Sequence, residues 1–410
     1  MKMNAWIAGV GMTPFGRLED RGLKSIGGEA IEAAIADAGI DRKSLQAAWI
    51  ANAAAGVITG QECIRGQVVL RSIGIGSIPV VNVENACASA STAFNQACAM
   101  VTAGVYDVVL AAGVEKMYVA DKAKVFGAFT GAVDVEQLQA ILAKLQNSAQ
   151  SSGAQAASKG AGQSRSMFMD IYAAAARNHM SRYGTTAEQF AMVTAKNSFH
   201  GSLNPRAQFR EAMTVEQVLA APMIAEPLTR PMCSPIGDGA AAAIIVSERK
   251  ARELGLSGKV RVLTSVLRSG WDRNGGPGLA EVCAREAFEE AGLGPNDMSV
   301  VELHDASAPA ELLAYESIGL CAKGEGGRLI AEGATRLGGR IPVSTSGGLL
   351  RKGHPVGATG IAQVVEVTEQ LQGRAGARQV RGARLGLCHN GGGSIGDDAA
   401  ALCATILAAA

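Results

Sequence analysis

Short, continuously apolar runs alternate along the chain with longer stretches in which apolar residues recur every three or four positions. "AWIAGVGM" (5–12), "AAWIANAA" (47–54), "SIPVVNVE" (77–84) and "YDVVLAAGVE" (106–115) are of the first kind and predict strands. "LKSIGGEAIEAAIADAGI" (23–40) and "SASTAFNQACAMVTAG" (89–104) are of the second kind and predict helices closed by Gly39 and Gly104. The same order resumes after Gly258. Strand-like "KVRVLTSVL" (259–267) and helical "LAEVCAREAFEEAGL" (279–293) are followed by "MSVVELHDAS" (298–307). A second helix–strand series runs from "PAELLAYESIGL" through "GATGIAQVVEVTEQL", "ARLGLCHNGGG" and "DDAAALCATIL". Continuous apolar strands between helices predict an α/β protein with largely parallel strands, and the repeated order predicts two similar halves.

Residues 119–226 break the alternation. They hold the polar, small-residue stretch "NSAQSSGAQAASKGAGQS" (147–164), which has the composition of a mobile or docking loop. Two helical patterns follow, "FMDIYAAAARNHMSRYG" (168–184) and "TAEQFAMVTAKNSFHGSLNP" (186–205), the second with Thr185 or Thr186 as its cap. The Met- and Ala-rich run 166–180 has helical spacing and reads as core. The expected organisation is a first half of 1–118 plus 227–257, an inserted loop domain over 119–226, and a second half of 258–410.

Bulk properties narrow the function classes. With 48% hydrophobic and 18% charged residues in 410, the chain suits a large buried core. A net charge of +1 argues against a nucleic-acid surface. No apolar run approaches the ~20 residues that span a bilayer. The opening "MKMNAWIAGVGMTPFG" breaks too early for a signal-peptide core, so a cytoplasmic location is expected. Eight cysteines without a C-x-x-C pair read as free thiols.

Candidate chemistry gathers at turns. "GVGMTPFG" (9–16) starts like a dinucleotide fingerprint but lacks the third glycine, so it reads as a structural turn. Cys87, in "VENACASAST" (83–92), follows a strand and precedes small residues that open a helix. Free cysteines are often core residues. At a helix N-terminus, however, the dipole favours a thiolate, and small neighbours admit an acyl group. Three of the five histidines lie at strand ends or glycine turns: His304 in "VVELHDAS", His354 in "STSGGLLRKGHPVGATG" and His389 in "LCHNGGGSIG". No histidine pair has metal-ligand spacing along the sequence, so no metal is expected. "GGGSIG" (391–396) lacks the lysine of a phosphate loop and reads as a source of backbone oxyanion donors.

These segments carry a family resemblance. "VENACASASTAFNQACAMVTAGVYDVVLAAGVEKM" (83–117) and "GGLLRKGHPVGATG" (347–360) resemble the nucleophile and G-H-P segments of the thiolase superfamily. "NPRAQFR" (204–210), "CSPIGDGAAAAIIVSE" (233–248) and "ELHDASAPAELLAYESIGLC" (302–321) are similar to its sterol-carrier-protein-like and archaeal branch. The resemblance implies a five-layered α-β-α-β-α sandwich of two similar halves with an inserted loop domain that binds coenzyme A. It implies an acyltransferase that cleaves or forms a 3-oxoacyl-CoA, with coenzyme A as co-substrate and no covalently bound cofactor. Cys87 would carry the acyl group and His354 would take its proton. His304 would bind the enolate oxygen, and Asn390, Gly392 and Gly393 would support the oxyanion.

One part of that pattern departs. The second cysteine of a condensing thiolase is Asn390 in one alignment and Ala306 in the other. Cys388 and His389 are therefore the candidates for moving the α-proton, with strand packing as the alternative for both. Relatives are dimers or dimers of dimers, and some act with a small OB-fold, zinc-ribbon partner subunit. The rival readings are a decarboxylating or retro-aldol enzyme on the same fold, and a non-catalytic acyl-CoA- or lipid-binding scaffold.

Overall fold

The computed structural model describes residues 2–151, 165–256, 260–273 and 275–410. The strands in chain order are β1 (Lys2–Met12), β2 (Ala47–Ala51), β3 (Val80–Val83), β4 (Val108–Glu115), β5 (Met223–Ala225), β6 (Leu228–Thr229), β7 (Gly239–Ser247), β8 (Val260–Ser269), β9 (Val300–Glu302), β10 (Leu385–Gly392) and β11 (Ala401–Ala409). Nine of them form one sheet in the order β3-β2-β4-β7-β1-β8-β11-β10-β9, while β5 and β6 make a small separate ladder. The first five strands of that order come from the first half and the last four from the second. The antiparallel pair β1–β8 joins them.

Helices cover the sheet in layers. The helix Ser89–Thr102, through Ala93, Phe94 and Ala97, packs with the helix Thr359–Leu371, through Ile361, Val364 and Val365, in one central apolar cluster. That cluster also takes side chains from β1, β4 and β7 of the first half and from β8, β9 and β10 of the second. The opposite face of the first half packs on the helix Leu23–Ala38, and that of the second half on the helix Leu279–Ala291. The outcome is the layered α/β architecture, with helices outside, sheet within and the two central helices buried between the halves.

The strand directions differ from expectation. β2–β3, β2–β4 and β9–β10 are parallel, while β4–β7, β1–β7, β1–β8, β8–β11 and β10–β11 are antiparallel. An apolar run reports burial on both faces, which the helical layers impose on either direction. It does not report direction. The "GVGMTPFG" turn is also displaced, because Gly9 and Gly11 lie inside β1, pressed under the helix Leu23–Ala38.

The intervening region carries the helices Leu138–Ser151, Phe168–Tyr183 and Ala187–Ser202. Thr186 caps the last one in a reciprocal capping box with Gln189. Of the polar stretch 147–164, residues 147–151 end a helix and 152–164 lie outside the described residues. Among the described residues no helix is long and apolar enough to cross a membrane.

Candidate active site

Cys87 sits on the single-turn helix Ala86–Ala88 that leads from β3 into the helix Ser89–Thr102. The turn is tight. Ala86 has a positive φ of 48°, a conformation side chains other than glycine rarely adopt. It is held by Ser89, whose hydroxyl accepts from Asn85 N (2.8 Å) and donates to the Ala86 carbonyl (2.6 Å). The end of β10 closes against it. A Cβ on Gly392 would lie 2.3 Å from the Asn85 oxygen and 2.4 Å from the Ala88 nitrogen, so only glycine permits that approach. With that approach the backbone N–H groups of Gly393 and of Cys87 itself act on the thiol and oppose the rise of its pKa.

His354 follows the short helix Gly348–Arg351, and His304 follows β9. Buried acids tie the two segments together. Asp305 accepts from Leu349 N (2.7 Å) and from Asn197 Nδ2 (2.8 Å), and Glu302 accepts from Ser346 N (3.0 Å) and Ser346 Oγ (2.6 Å). Glu115, at the end of β4, accepts from the backbone N–H groups of Ala53, Ala54 and Gly357 and from Asn52 Nδ2. It fastens the segment after His354 to the first half. Residues far apart in sequence thus converge. The Cys87 sulfur and one ring nitrogen from each of His304 and His354 lie within 4.8 Å of one another. Three such donors also have metal-ligand separation, which spacing along the chain could not register.

The hydrogen bonds fix both imidazole tautomers. The Thr359 hydroxyl donates to the Pro355 carbonyl (2.9 Å), so at 2.7 Å from His354 Nδ1 it can only accept. His354 therefore carries its proton on Nδ1 and keeps a free lone pair on Nε2. The one proton of the Ser91 hydroxyl has two acceptors in reach, the Ala88 carbonyl (3.0 Å) and Asn390 Oδ1 (2.7 Å); with the proton on the shorter contact, Asn390 Oδ1 accepts and its Nδ2 donates to His304 Nδ1 (3.0 Å). His304 therefore carries its proton on Nε2. One ring is set up as an acceptor and the other as a donor.

Burial governs the charges. It pushes the Cys87 thiol up to about 12, against the opposing pull of the Gly393 N–H, and Glu115 adds to the rise. This corrects the expectation of a thiolate made by the helix dipole: the side chain is half-buried, yet protein surrounds the sulfur closely enough for desolvation to win. Burial also lowers His304 to about 3, with His389 adding a smaller push. It holds His354 well below the usual imidazole range, aided by His304 and Lys352. The resting site is a neutral thiol beside two neutral rings.

Cys87, His304 and His354 share a cavity of about 870 Å³, as do Gly392 and Gly393. Four of the nine phenylalanines line it: Phe126, Phe129, Phe168 and Phe209. That enrichment, in a chain with 4% aromatic residues, fits a bulky apolar ligand. Cys388 and His389 do not line it. Cys388 packs into the central cluster, on the same face of β10 as Asn390, and His389 Nε2 donates to the Ala280 carbonyl (3.3 Å). Sequence reasoning missed Tyr172 and Arg351, which do line the cavity. Tyr172 was hidden in the run that reads as helical core. Its only signal was polarity at one end of an otherwise apolar stripe.

A thiol on a helix-leading turn, with an acceptor imidazole and a donor imidazole, is an arrangement suited to acyl transfer. The family comparison agrees. "Thiolase, N-terminal domain" matches residues 5–249 and "Thiolase C-terminal domain-like" matches residues 278–405. The chain belongs to the thiolase family. It is 41% identical to the acetyl-CoA acetyltransferase of Methanothermobacter thermautotrophicus, over 95% of this chain and 96% of that protein. It is 35% identical to the benzoylsuccinyl-CoA thiolase subunit BbsB of Thauera aromatica (96% of each) and 36% identical to sterol carrier protein 2 of Homo sapiens (94% and 69%). Among solved structures, the Ltp2-ChsH2(DUF35) aldolase superposes with a TM-score of 0.77 at 24% identity, covering 100% of this chain and 98% of that one. At that identity the likeness is one of fold.

Proposed function

We propose that the protein is a 3-oxoacyl-CoA thiolase working through an acyl-thioester on Cys87. The observation that carries this reading is the grouping of the Cys87 sulfur with one ring nitrogen from each of His354 and His304 within 4.8 Å, in one largely apolar cavity. Cys87 Sγ attacks the 3-oxo carbonyl and its proton passes to His354 Nε2. The N–H groups of Cys87 and Gly393 receive the developing oxyanion. The C2–C3 bond then breaks, leaving the acyl group on sulfur and an acetyl-CoA enolate whose oxygen accepts from His304 Nε2–H. Protonation at C2 completes acetyl-CoA. The thiol of coenzyme A attacks the acyl-thioester, and its proton returns through His354 to Cys87.

The C2 proton is assigned to Tyr172. Asn390 is an amide with both ends engaged, and Ala306 has no acid group. Tyr172 lines the cavity beside Cys87 and His304, and among the described residues its hydroxyl has no hydrogen-bond partner. Burial raises its pKa, so it stays a proton donor and is restored by the imidazolium of His354.

The test is intact mass spectrometry after mixing with a 3-oxoacyl-CoA. A thioester adduct that maps to Cys87, and is lost in Cys87→Ala together with turnover, is expected. Full turnover in Cys87→Ala would overturn the mechanism. C–C cleavage without an adduct would instead favour a retro-aldol reaction, and ligand uptake without release of coenzyme A a binding scaffold.

A further inference from the structure

The cavity holds three arginines, and their partners differ. Arg165 is fixed by Asp170 through two hydrogen bonds of 3.1 and 2.7 Å, and Arg230 is exposed. Arg351 is neither. It is 7% exposed, deep in the wall formed by the helix that leads to His354. Among the described residues, its Nη2 donates to the backbone carbonyl of Glu211 (2.8 Å), its Nη1 meets only the sulfur of Met213 (3.5 Å), and its Nε has no partner. The guanidinium stacks over the Phe209 ring at 5.1 Å. Among the described residues no carboxylate comes within ion-pair distance of it, and Glu211, whose carboxylate is exposed, acts on it only at longer range.

A buried guanidinium without a counter-charge is costly. Five donors in a rigid fork, of which three find no oxygen or sulfur here, are complementary to a carboxylate. Glu211 is the one carboxylate among the described residues that line the cavity, and it makes no ion pair with Arg351, so among these residues the missing anion is not supplied. Resting on the thiolase reading above, we propose that the acyl group of the substrate carries a carboxylate, and that Arg351 is the residue that binds it. The preferred substrate is then a 3-oxoacyl-CoA with an anionic group on its acyl portion, and the phenylalanine walls pack its apolar part. The same guanidinium chemistry would also suit a phosphate of coenzyme A, and the two sources separate experimentally.

The probes are 3-oxoadipyl-CoA and 3-oxohexanoyl-CoA, equal in carbon number and differing by a terminal carboxylate in place of a methyl. Dissociation constants are measured by calorimetry on Cys87→Ala, where no turnover interferes, and kcat/KM is measured on the unmodified enzyme. A charge-assisted hydrogen bond predicts preference for the carboxylate probe by about tenfold or more. In Arg351→Met, which keeps an apolar stem over Phe209, that preference falls to about twofold or less, and Arg351→Lys keeps an intermediate value. Equal binding of both probes by the protein with Arg351 intact would overturn the proposal whether or not the variants fold. Equal weakening of both probes in Arg351→Met would also overturn it, assigning Arg351 to coenzyme A. Absence of turnover with the carboxylate preference in binding intact would sink the thiolase reading and leave this one standing.

Discussion

His304 and His354 meet edge to face, with ring centroids 5.4 Å apart and planes at 79°, and they hold opposite tautomers. Each tautomer is imposed from the side away from the cavity, by Asn390 on His304 and by Thr359 on His354. Two residues of the same type thereby become a hydrogen-bond donor and a base within one neutral site.

Asn390 is a positioning residue in this arrangement, and Asn390→Asp tests it. A carboxylate accepts where the amide donated, so the proton of His304 moves to Nδ1 and the donor at Nε2 is lost. The expected result is a fall in kcat of about 10²–10³ with little change in KM, the usual cost of one oxyanion donor. Imidazole nitrogen NMR reads the tautomer directly. An unchanged tautomer would remove the assignment even if activity fell.

The pH profile follows from the direction of the shifts. A bell centred near neutrality needs a thiol or an imidazole titrating there. Cys87 is pushed up to about 12, His304 down to about 3, and His354 well below 6.5. The acylation rate is therefore expected to be level from about pH 6 to 9, since both rings are already neutral and the thiol still protonated over that range. Single-turnover acylation across pH checks this. An acid limb near 6.5 would show that one ring titrates normally.

Tyr172→Phe separates the half-reactions. Removing the hydroxyl leaves Cys87 and His354 untouched, so acyl transfer from a simple acyl-CoA to Cys87 proceeds at close to its full rate. Cleavage of a 3-oxoacyl-CoA falls by about 10²-fold, the scale of one general acid. Equal slowing of both steps would mean that the phenol only shapes the cavity.

Glu115→Ala addresses stability. The buried carboxylate satisfies three backbone N–H groups and one amide, and its loss strands them. A loss of about 3–5 kcal/mol is expected, read from denaturant unfolding. Glu115→Gln, which keeps one good acceptor, costs less.

The sequence by itself determined the elements, the alternation and the turn that carries Cys87. Local signals suffice for these: Gly39 closes a helix in the left-handed conformation and Thr186 opens one in a capping box. Cys87 lies where a strand gives way to small residues opening a helix. Pairing and partners were decided by the tertiary structure. Apolar runs could not tell parallel from antiparallel, because two-sided burial looks the same in both. Cys388 and His389 looked as accessible as Asn390, since all three occupy one strand. Only the packing of β10 against the helix Ser89–Thr102 turns Asn390 toward Ser91 and His304 and leaves Cys388 in the core. The charge on Cys87 was likewise read from a local dipole. Desolvation by the assembled halves outweighs that dipole, and desolvation comes into being only when the chain has folded.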